Sequence, residues 1–423
     1  MSIAVSRALP RPVRLGRSLV LSAGAVAGLG LVVGTAPAAL ASSSQPVSYY
    51  VAPNGTDTSG SCSANSPSNA FPAIQDAITC AVTSGDVIVL AANTGAAPYA
   101  GVGTISNSIT ITGAGARSTA VDISSAPLTV AAGADVTVSG VSLTYPASSD
   151  ADTFKPNVIN NGSLTLSGDM VSDNPYSSGI LNQATGSTPA DLTLVGTAVT
   201  NNDASFNALD VNGGGILDMS AAGATATGTI TVENSTIAGN TALFNGGGIW
   251  LTTQLGTLAT GTATLVNTTV ADNNAGGGVG GIGAQFNRTF FTLSNTLLAG
   301  NTSTGSTTVA SDCRGVLADG PGGGNLIGSS TSGAIAGQPC SGLANGVNGD
   351  QVGVAQPGVA SAPADNGGPT DTVALLSASP AIGAANAPTC DSAAIGNVDQ
   401  RGDSRNALTR DACDIGAYDT GGN

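Results

Sequence analysis

Four aspartates in the middle of this 423-residue chain are the first candidates for chemistry. Hydrolysis of a glycosidic bond needs two carboxyl groups that face the same bond, so paired acidic residues would mark such a site. The four share no paired motif and lie near variable loops: Asp203, Asp210, Asp218 and Asp272. We therefore expect each of them to form a turn or to add surface charge.

Basic residues are the second group, because a polysaccharide lyase abstracts a proton with Arg or Lys beside a Ca²⁺ site of clustered carboxylates. The best base candidate is Arg288, between Phe286 and Phe290; a surface arginine packed on either ring is the competing interpretation. The other bases are Arg117, Lys155, Arg314, Arg401, Arg405 and Arg410. The absence of histidine excludes Ser-His and Cys-His catalysis. No cofactor is expected, and Ca²⁺ is the one metal left open.

Two further residue types suggest contact with carbohydrate, either as a bound ligand or as an attached glycan. Trp250, the only tryptophan, could stack on a sugar ring if it points outward, but we expect it to pack in the core or between loops. Asn-x-Ser/Thr triplets that match a glycan acceptor begin at Asn54, Asn161, Asn234, Asn267 and Asn287, although a repeat rich in Asn and Thr produces such triplets by chance.

The six cysteines predict disulfides. No CxxC motif occurs, which makes a metal site a weak alternative. Six cysteines allow fifteen pairings, and we favour nearest neighbours because they close loops of modest size. The favoured pairs are Cys62 with Cys80, Cys313 with Cys340, and Cys390 with Cys413.

Residues 1–41 have the pattern of a signal peptide. A positive region with four arginines precedes an apolar run from Leu19 to Val33, and small residues up to Ala41 fit cleavage before Ser42. A membrane anchor is the alternative. Four of the 11 Lys and Arg residues lie here, so the exported chain would carry 7 bases, 26 acids and a formal charge of −19. Nucleic acid is therefore not an expected partner.

A repeated sequence motif indicates the fold that positions these residues. Asparagines recur at spacings of 28, 38, 33 and 28 residues, each three residues after an aliphatic residue. They are Asn174, Asn202, Asn240, Asn273 and Asn301. Gly-Ile pairs recur between them, beginning at Gly179, Gly215, Gly248 and Gly281. This period predicts a solenoid whose coils contain two or three short strands.

Stacked coils would place the aliphatic residues in an inward column and the asparagines at a turn. Asn tolerates a left-handed backbone there, and its amide can bond to the copies in neighbouring coils. A β-sandwich is the alternative fold. A regular Thr face that orders water is a weaker idea, because the Thr positions lack strict spacing in the sequence.

The start of the exported chain resembles the N-terminal cap of pectin-lyase-like, right-handed parallel β-helix proteins. The matching segments are Tyr50–Gly55, Ala73–Ile78, Gly85–Val89 and Ile109–Gly113, and the second lies in a helix predicted over Phe71–Val82. The resemblance implies an all-β, single-stranded, right-handed solenoid whose N-terminal cap, with its capping helix, and first coils cover residues 48–115, followed by a repeat region over 116–310. The repeats also resemble, more loosely, those of polymorphic outer-membrane proteins.

Residues 311–423 are loop-rich, and the stretch from Asp365 to Tyr418 resembles the choice-of-anchor Q domain of secreted bacterial β-helix proteins. Gly383 and Asp419 depart from that pattern. The resemblance implies a disulfide-bonded C-terminal cap held by Asp399, Arg401 and Asp414. No sorting or anchoring tail follows, so we expect free secretion or loose surface association.

Two functions from different classes follow. The first is a secreted, non-enzymatic scaffold of the cell envelope or extracellular space with a binding or adhesive role, its expected partner being a carbohydrate or a cell-surface ligand. The alternative is a lyase or hydrolase acting on an extracellular acidic polysaccharide, which rests on fold analogy alone. We expect the unequal loops after each repeated asparagine to make any contact with a ligand.

Overall fold

The computed structural model describes residues 45–145, 155–206, 212–253, 261–285, 289–305, 307–330, 340–405 and 413–422. Parallel strands stack coil upon coil into three long faces, so the predicted all-β solenoid is confirmed as a parallel β-helix. Each coil passes from face 1 to face 2, turns a corner to face 3 and returns to face 1. The predicted signal segment, with Ala41 and Ser42, lies outside the described residues.

Face 1 contains the strands Ser48–Val51, Val87–Leu90, Thr110–Thr112, Asp135–Ser139, Ser163–Ser167, Asp191–Val195, Thr229–Glu233, Thr262–Val266, Thr289–Ser294, Cys313–Asp319 and Cys340–Ser341. Face 2 contains Tyr99–Ala100, Ala120–Asp122, Ser142–Thr144, Met170–Ser172, Ala198–Thr200, Thr236–Ala238, Thr269–Ala271, Leu297–Ala299, Leu326–Ile327 and Gln351–Val352.

Face 3 contains Gly103–Ile105, Leu128–Val130, Val158–Asn160, Ile180–Ala184, Ile216–Ser220, Ile249–Thr253 and Ile282–Ala284. The long strand Cys313–Asp319 pairs with both face 3 and face 1 and so joins them. A short ladder follows the corner after face 2: Asp203–Ala204, Thr241–Ala242, Asn274–Ala275, Thr302–Ser303 and Val309–Ala310.

Alternation of side chains explains the core. In the face 1 strand Asp191–Val195, Leu192 and Leu194 are buried while their neighbours face outward, as the period of two requires. On face 2 the central aliphatic residue of each strand points inward and is fully buried: Val171, Val199, Ile237, Val270 and Leu298. The Gly-Ile pairs begin face 3 strands, and their isoleucines complete the core.

The N-terminal helix is present as Ile74–Cys80, shorter than the predicted Phe71–Val82. Its buried residues Ile74, Ala77 and Cys80 repeat at three-residue spacing, and it contacts the first two face 1 strands. Disulfides join Cys62 to Cys80, Cys313 to Cys340 and Cys390 to Cys413, the three pairs that proximity in the sequence favours.

The coil stack continues to Val352, beyond the predicted end of the repeats at residue 310. The C-terminal segment, residues 355–405 and 413–422, then packs lengthwise along face 2, whereas the sequence led us to expect a cap at the end of the rod. At one end Asp371 accepts from Arg117 at 2.9 Å. Further along, Gln400 accepts from Thr236 at 2.6 Å. Val373 is buried against Ala238, in the same strand as Thr236, and against Ala271 in the next coil. Two further helical turns belong to this segment, Ala387–Cys390 and Thr420–Gly422.

Candidate functional site

The repeated asparagines form a buried ladder at the corner after face 2. In Asn202, Asn240, Asn273 and Asn301, each side-chain oxygen accepts from the backbone nitrogen of the asparagine one coil earlier, at 3.0 to 3.2 Å. Each amide nitrogen in turn donates to a carbonyl of an earlier coil, as Asn240 Nδ2 does to Val199 O at 2.9 Å. The ladder ends on Asp312, whose Oδ1 accepts from Asn301 Nδ2 at 2.7 Å. These residues hold coils in register, because all their polar groups point at other coils.

The left-handed backbone at this corner belongs to the residue before each ladder asparagine. Positive φ angles occur at Asp173, Asn201 and Asp272, between 55° and 60°, and at two glycines in the equivalent positions. The prediction that the ladder asparagines themselves take this conformation is wrong. Their role is the amide bond between coils, and small or acidic residues just before them make the turn.

Asp218 is fully buried, so the expectation that it forms a turn or adds surface charge is wrong. It ends a second polar stack inside the corner between face 3 and face 1. Asn160 Nδ2 donates to Asn182 Oδ1 at 2.8 Å, and Asn182 Nδ2 donates to Asp218 Oδ1 at 2.7 Å. Burial raises the pKa of Asp218 to about 7. Its Oδ2 has no hydrogen-bond partner among the described residues.

The other acidic candidates are dispersed. Asp203 caps its own turn by accepting from Ser205 N at 2.8 Å, and Asp272 is one of the left-handed corner residues. Asp210 lies outside the described residues. The described candidates therefore belong to separate corners or turns, and each has a local role in building the coil.

The described bases mostly support the C-terminal segment. Arg117 bridges to Asp365 and Asp371 at 2.9 Å. Arg401 forms a buried ion pair with Asp399 at 2.8 Å, in agreement with the expected role of those two residues. Asp414 accepts from Gly383 N and from Thr420. Lys155 is exposed, whereas Arg288 and Arg410 lie outside the described residues.

Arg405 is the most deeply buried of the described bases. It is 2% exposed, and its guanidinium donates to Val398 O, Gly416 O and the side-chain oxygen of Asn234 at 2.8 to 2.9 Å. Burial lowers its pKa to about 10. Asn234 is thereby buried under the C-terminal segment, and Asn267 is buried as well, so these two triplets are not surface glycan acceptors.

Trp250 lies on the outward side of face 3 yet is only 3% exposed, because it packs between loops as expected. It follows Leu181 and Leu217 in one outward column, and Val279 from a later loop covers them. The next two positions in the column are Gly283 and Arg314. This column is a small apolar cluster separate from the core.

Arg314 lies over this tryptophan, with its guanidinium carbon 5.4 Å from the centroid of the Trp250 ring. The glycine between them makes the contact possible, since a Cβ at Gly283 would approach the ring within 2.9 Å. The guanidinium also donates to Asn245 Oδ1 at 3.4 Å, and burial lowers the pKa of Arg314 from its ordinary value. A cation held on an aromatic ring at a surface is a common ligand-binding element.

These groups surround an open cleft of about 250 Å³, which we call the face 3 cleft. Its lining residues are Asn212, Asn245, Trp250, Thr252, Gln285 and Arg314. Asn245 Nδ2 donates to Asn212 Oδ1 at 2.9 Å, and Thr252 donates to Gln285 Oε1 at 2.8 Å. Thr253 N also donates to Gln285 Oε1, so the amide nitrogen of Gln285 is the group left to donate to a ligand. The cleft offers amides, a hydroxyl and one cation.

No local sequence pattern marks this cleft, because its residues come from four coils and converge only through the register of face 3. Trp250 and Arg314 were each considered singly, and Asn212, Asn245, Thr252 and Gln285 were missed as ligand-binding candidates. The unequal loops do contribute, since Asn212 and Asn245 stand at the ends of loops that follow Asn202 and Asn240.

Across the described ranges, no three side chains of Cys, Asp or Glu are grouped as a metal ion would require. In the same residues, none of the helices has the length and apolar character to cross a bilayer. Comparisons of the chain with protein-family models, with curated proteins and with solved structures found no match.

Proposed function

We propose that this protein is a secreted, non-enzymatic β-helix that binds carbohydrate in the face 3 cleft. The observation that carries the proposal is the convergence of amide, hydroxyl and guanidinium groups around Trp250 on the outward side of a rigid sheet. Sugars are recognised by such groups because hydroxyls both donate and accept hydrogen bonds. A rigid strand scaffold also lowers the entropy lost on binding.

Secretion is part of the proposal. Three disulfides fit an oxidising compartment, and the segment before Ser42 has the composition of a cleaved signal. Sequencing the N-terminus of the exported chain tests this point, and a secreted protein that retains Met1 would contradict it. We further propose a distant relationship to the pectin-lyase-like β-helices and, for residues 365–418, to the choice-of-anchor Q domain, on the strength of the motifs quoted above.

The binding test is a screen of the folded chain against neutral and uronate-bearing oligosaccharides. Replacing Arg314→Ala removes a charged donor, whose hydrogen bonds contribute about 1.5–3 kcal/mol each, so we expect affinity to fall by about tenfold or more. Gln285→Ala should weaken binding as well. Arg117→Ala, which removes an arginine far from the cleft, is the matched control and should bind as the native protein does.

A second experiment tests the alternative function, a lyase or hydrolase of an acidic polysaccharide. The same ligands are incubated with and without Ca²⁺ while unsaturated and reducing-end products are followed. Turnover would overturn the non-enzymatic proposal. Binding that is unchanged by both cleft substitutions would instead reject the face 3 cleft as the site.

A further inference from the structure

Seven threonines form one straight outward column on face 1. Strand pairing places them at equivalent positions of seven successive coils: Thr110, Thr137, Thr165, Thr193, Thr231, Thr264 and Thr292. The idea of a regular Thr face was set aside because the sequence spacing is irregular, and that judgement is wrong. Loops of unequal length absorb the irregularity, so the spacing in space is set by the sheet at about 4.8 Å per coil.

The column is the centre of a flat polar strip. Two residues before it along each strand lie Asp135, Ser163, Asp191, Thr229 and Thr262. The side-chain oxygens of this flanking column lie about 6.6 Å from those of the central column, twice the rise per residue. Two of the five flanking residues are carboxylates that accept from neighbouring hydroxyls, Asp135 from Ser163 at 3.1 Å and Asp191 from Thr229 at 2.5 Å. The strip is therefore one column of threonine hydroxyls about 29 Å long beside a mixed column of hydroxyls and carboxylates.

The hydroxyls of the central column are turned to solvent. Each of the seven threonines is exposed or half-buried, and among the described residues none of their side chains bonds to a protein group. Threonine is stiff about χ1 because its Cβ is branched, so little rotamer freedom remains to be lost on binding. Each hydroxyl can donate one hydrogen bond and accept others, as a water molecule can.

Among the described residues, other parts of the fold cover the other two faces, and the central column of face 1 stays accessible. Face 2 lies under the C-terminal segment, where Val373 and Leu375 are buried. The apolar column of face 3 lies under loop residues such as Val279. The central column of this face is uncharged and has the carboxylates of Asp135 and Asp191 beside it, so the face favours a neutral partner over an acidic one.

We propose that face 1 binds ice, that is, a surface of ordered water. The central column presents a threonine hydroxyl about every 4.8 Å, each able to donate and accept as a water molecule does, with threonine methyl groups between the hydroxyls. Crystalline polysaccharide is the competing flat partner, but it is usually held by aromatic platforms. The outward columns of face 1 between Thr110 and Val266 contain no aromatic residue. This inference does not depend on the face 3 cleft.

Thermal hysteresis and incorporation into a growing ice hemisphere test the proposal on the intact folded chain. Thr193→Tyr places a ring in the middle of the column and lifts the neighbouring hydroxyls from the ice. Because several hydrogen bonds to the ice are lost together, we expect the ice-bound fraction to fall about tenfold or more. Thr193→Val keeps the shape and should give a smaller loss.

The matched control is Thr129→Tyr, the same change at an outward position of face 3. It should leave ice binding unchanged. All variants are first compared with the native chain by circular dichroism, which separates misfolding from loss of the face. A native protein without affinity for ice overturns the proposal, as does equal binding by Thr193→Tyr. Retention on insoluble polysaccharide that Thr193→Tyr abolishes, without ice binding, would assign the face to the competing partner.

Discussion

The buried carboxylate at Asp218 makes a sharp prediction about stability and pH. Asp218 occupies the position at which two earlier coils have asparagine, Asn160 and Asn182. The amide of Asn182 donates to the carbonyl of Ala190 at 2.9 Å. Gly228 takes the place of Ala190 one coil later. An asparagine at 218 could therefore donate to Gly228 O, continuing the stack where Asp218 has an unpartnered oxygen.

The sign of the effect follows from the raised pKa. In the native chain the pKa of Asp218 rises from 3.8 to about 7. Between these values the folded protein holds a proton that the unfolded chain has released, so stability falls as pH increases and the loss is complete above pH 7. About three pH units at about 1.4 kcal/mol each set an upper limit near 4 kcal/mol. Asp218→Asn does not titrate and avoids this loss.

We therefore expect Asp218→Asn to be nearly neutral at pH 4 and to raise the free energy of unfolding by about 2–4 kcal/mol at pH 8. With an unfolding entropy of about 2.1 cal/mol/K per residue, this corresponds to about 3–5 °C in Tm. Scanning calorimetry of both proteins at the two pH values gives the comparison. The control is Asp135→Asn, an exposed carboxylate on face 1 that should show no such pH dependence. An equal change in Tm at pH 4 and pH 8 would refute the reasoning.

Three further predictions concern other contacts. Asn240→Ala removes a buried amide that bonds to the coils on both sides, so urea unfolding should show a loss of about 2–4 kcal/mol, and a loss below about 0.5 kcal/mol would speak against the ladder as a stabilising element. Arg405→Met removes the donors that tie the C-terminal segment together and to face 2, so amide hydrogen exchange in face 2 should accelerate; unchanged exchange would contradict this role. The double substitution Cys62→Ala and Cys80→Ala removes the disulfide that joins residues 18 apart in sequence, so the free energy of unfolding measured in urea should fall by about 3 kcal/mol. Native-like stability of this variant would contradict the stabilising role of the disulfide.

Periodic features of the coils were predictable because they repeat locally. The inward column containing Val199 and Ile237 is recognisable in the sequence because each of its residues lies three positions before a ladder asparagine. The Gly-Ile pairs mark where the strands of face 3 begin. The corner residues before the asparagines also carried a signal, since Asp, Asn and Gly are the types that tolerate positive φ. That signal was assigned to the wrong position.

Features that depend on register were not predictable in this way. Thr165 and Thr193 are 28 residues apart and Thr193 and Thr231 are 38 apart, yet both pairs are direct neighbours on face 1. The loops hide this regularity in the sequence. The burial of Asp218 and the convergence of the face 3 cleft have the same origin, because only parallel pairing reveals which residues share a corner.

The C-terminal segment changes how the rod should respond to stress. In a solenoid each coil touches only its neighbours, so coils can open one at a time. Here one stretch of chain reaches back to coils that lie 164 to 254 residues earlier. This segment links non-adjacent coils, like a strap along the rod. A coil in the middle can therefore unfold only if the contacts between that coil and the strap also break. Cooperativity should extend over this whole length of the rod, and the strap can seat only after the coils beneath it have formed.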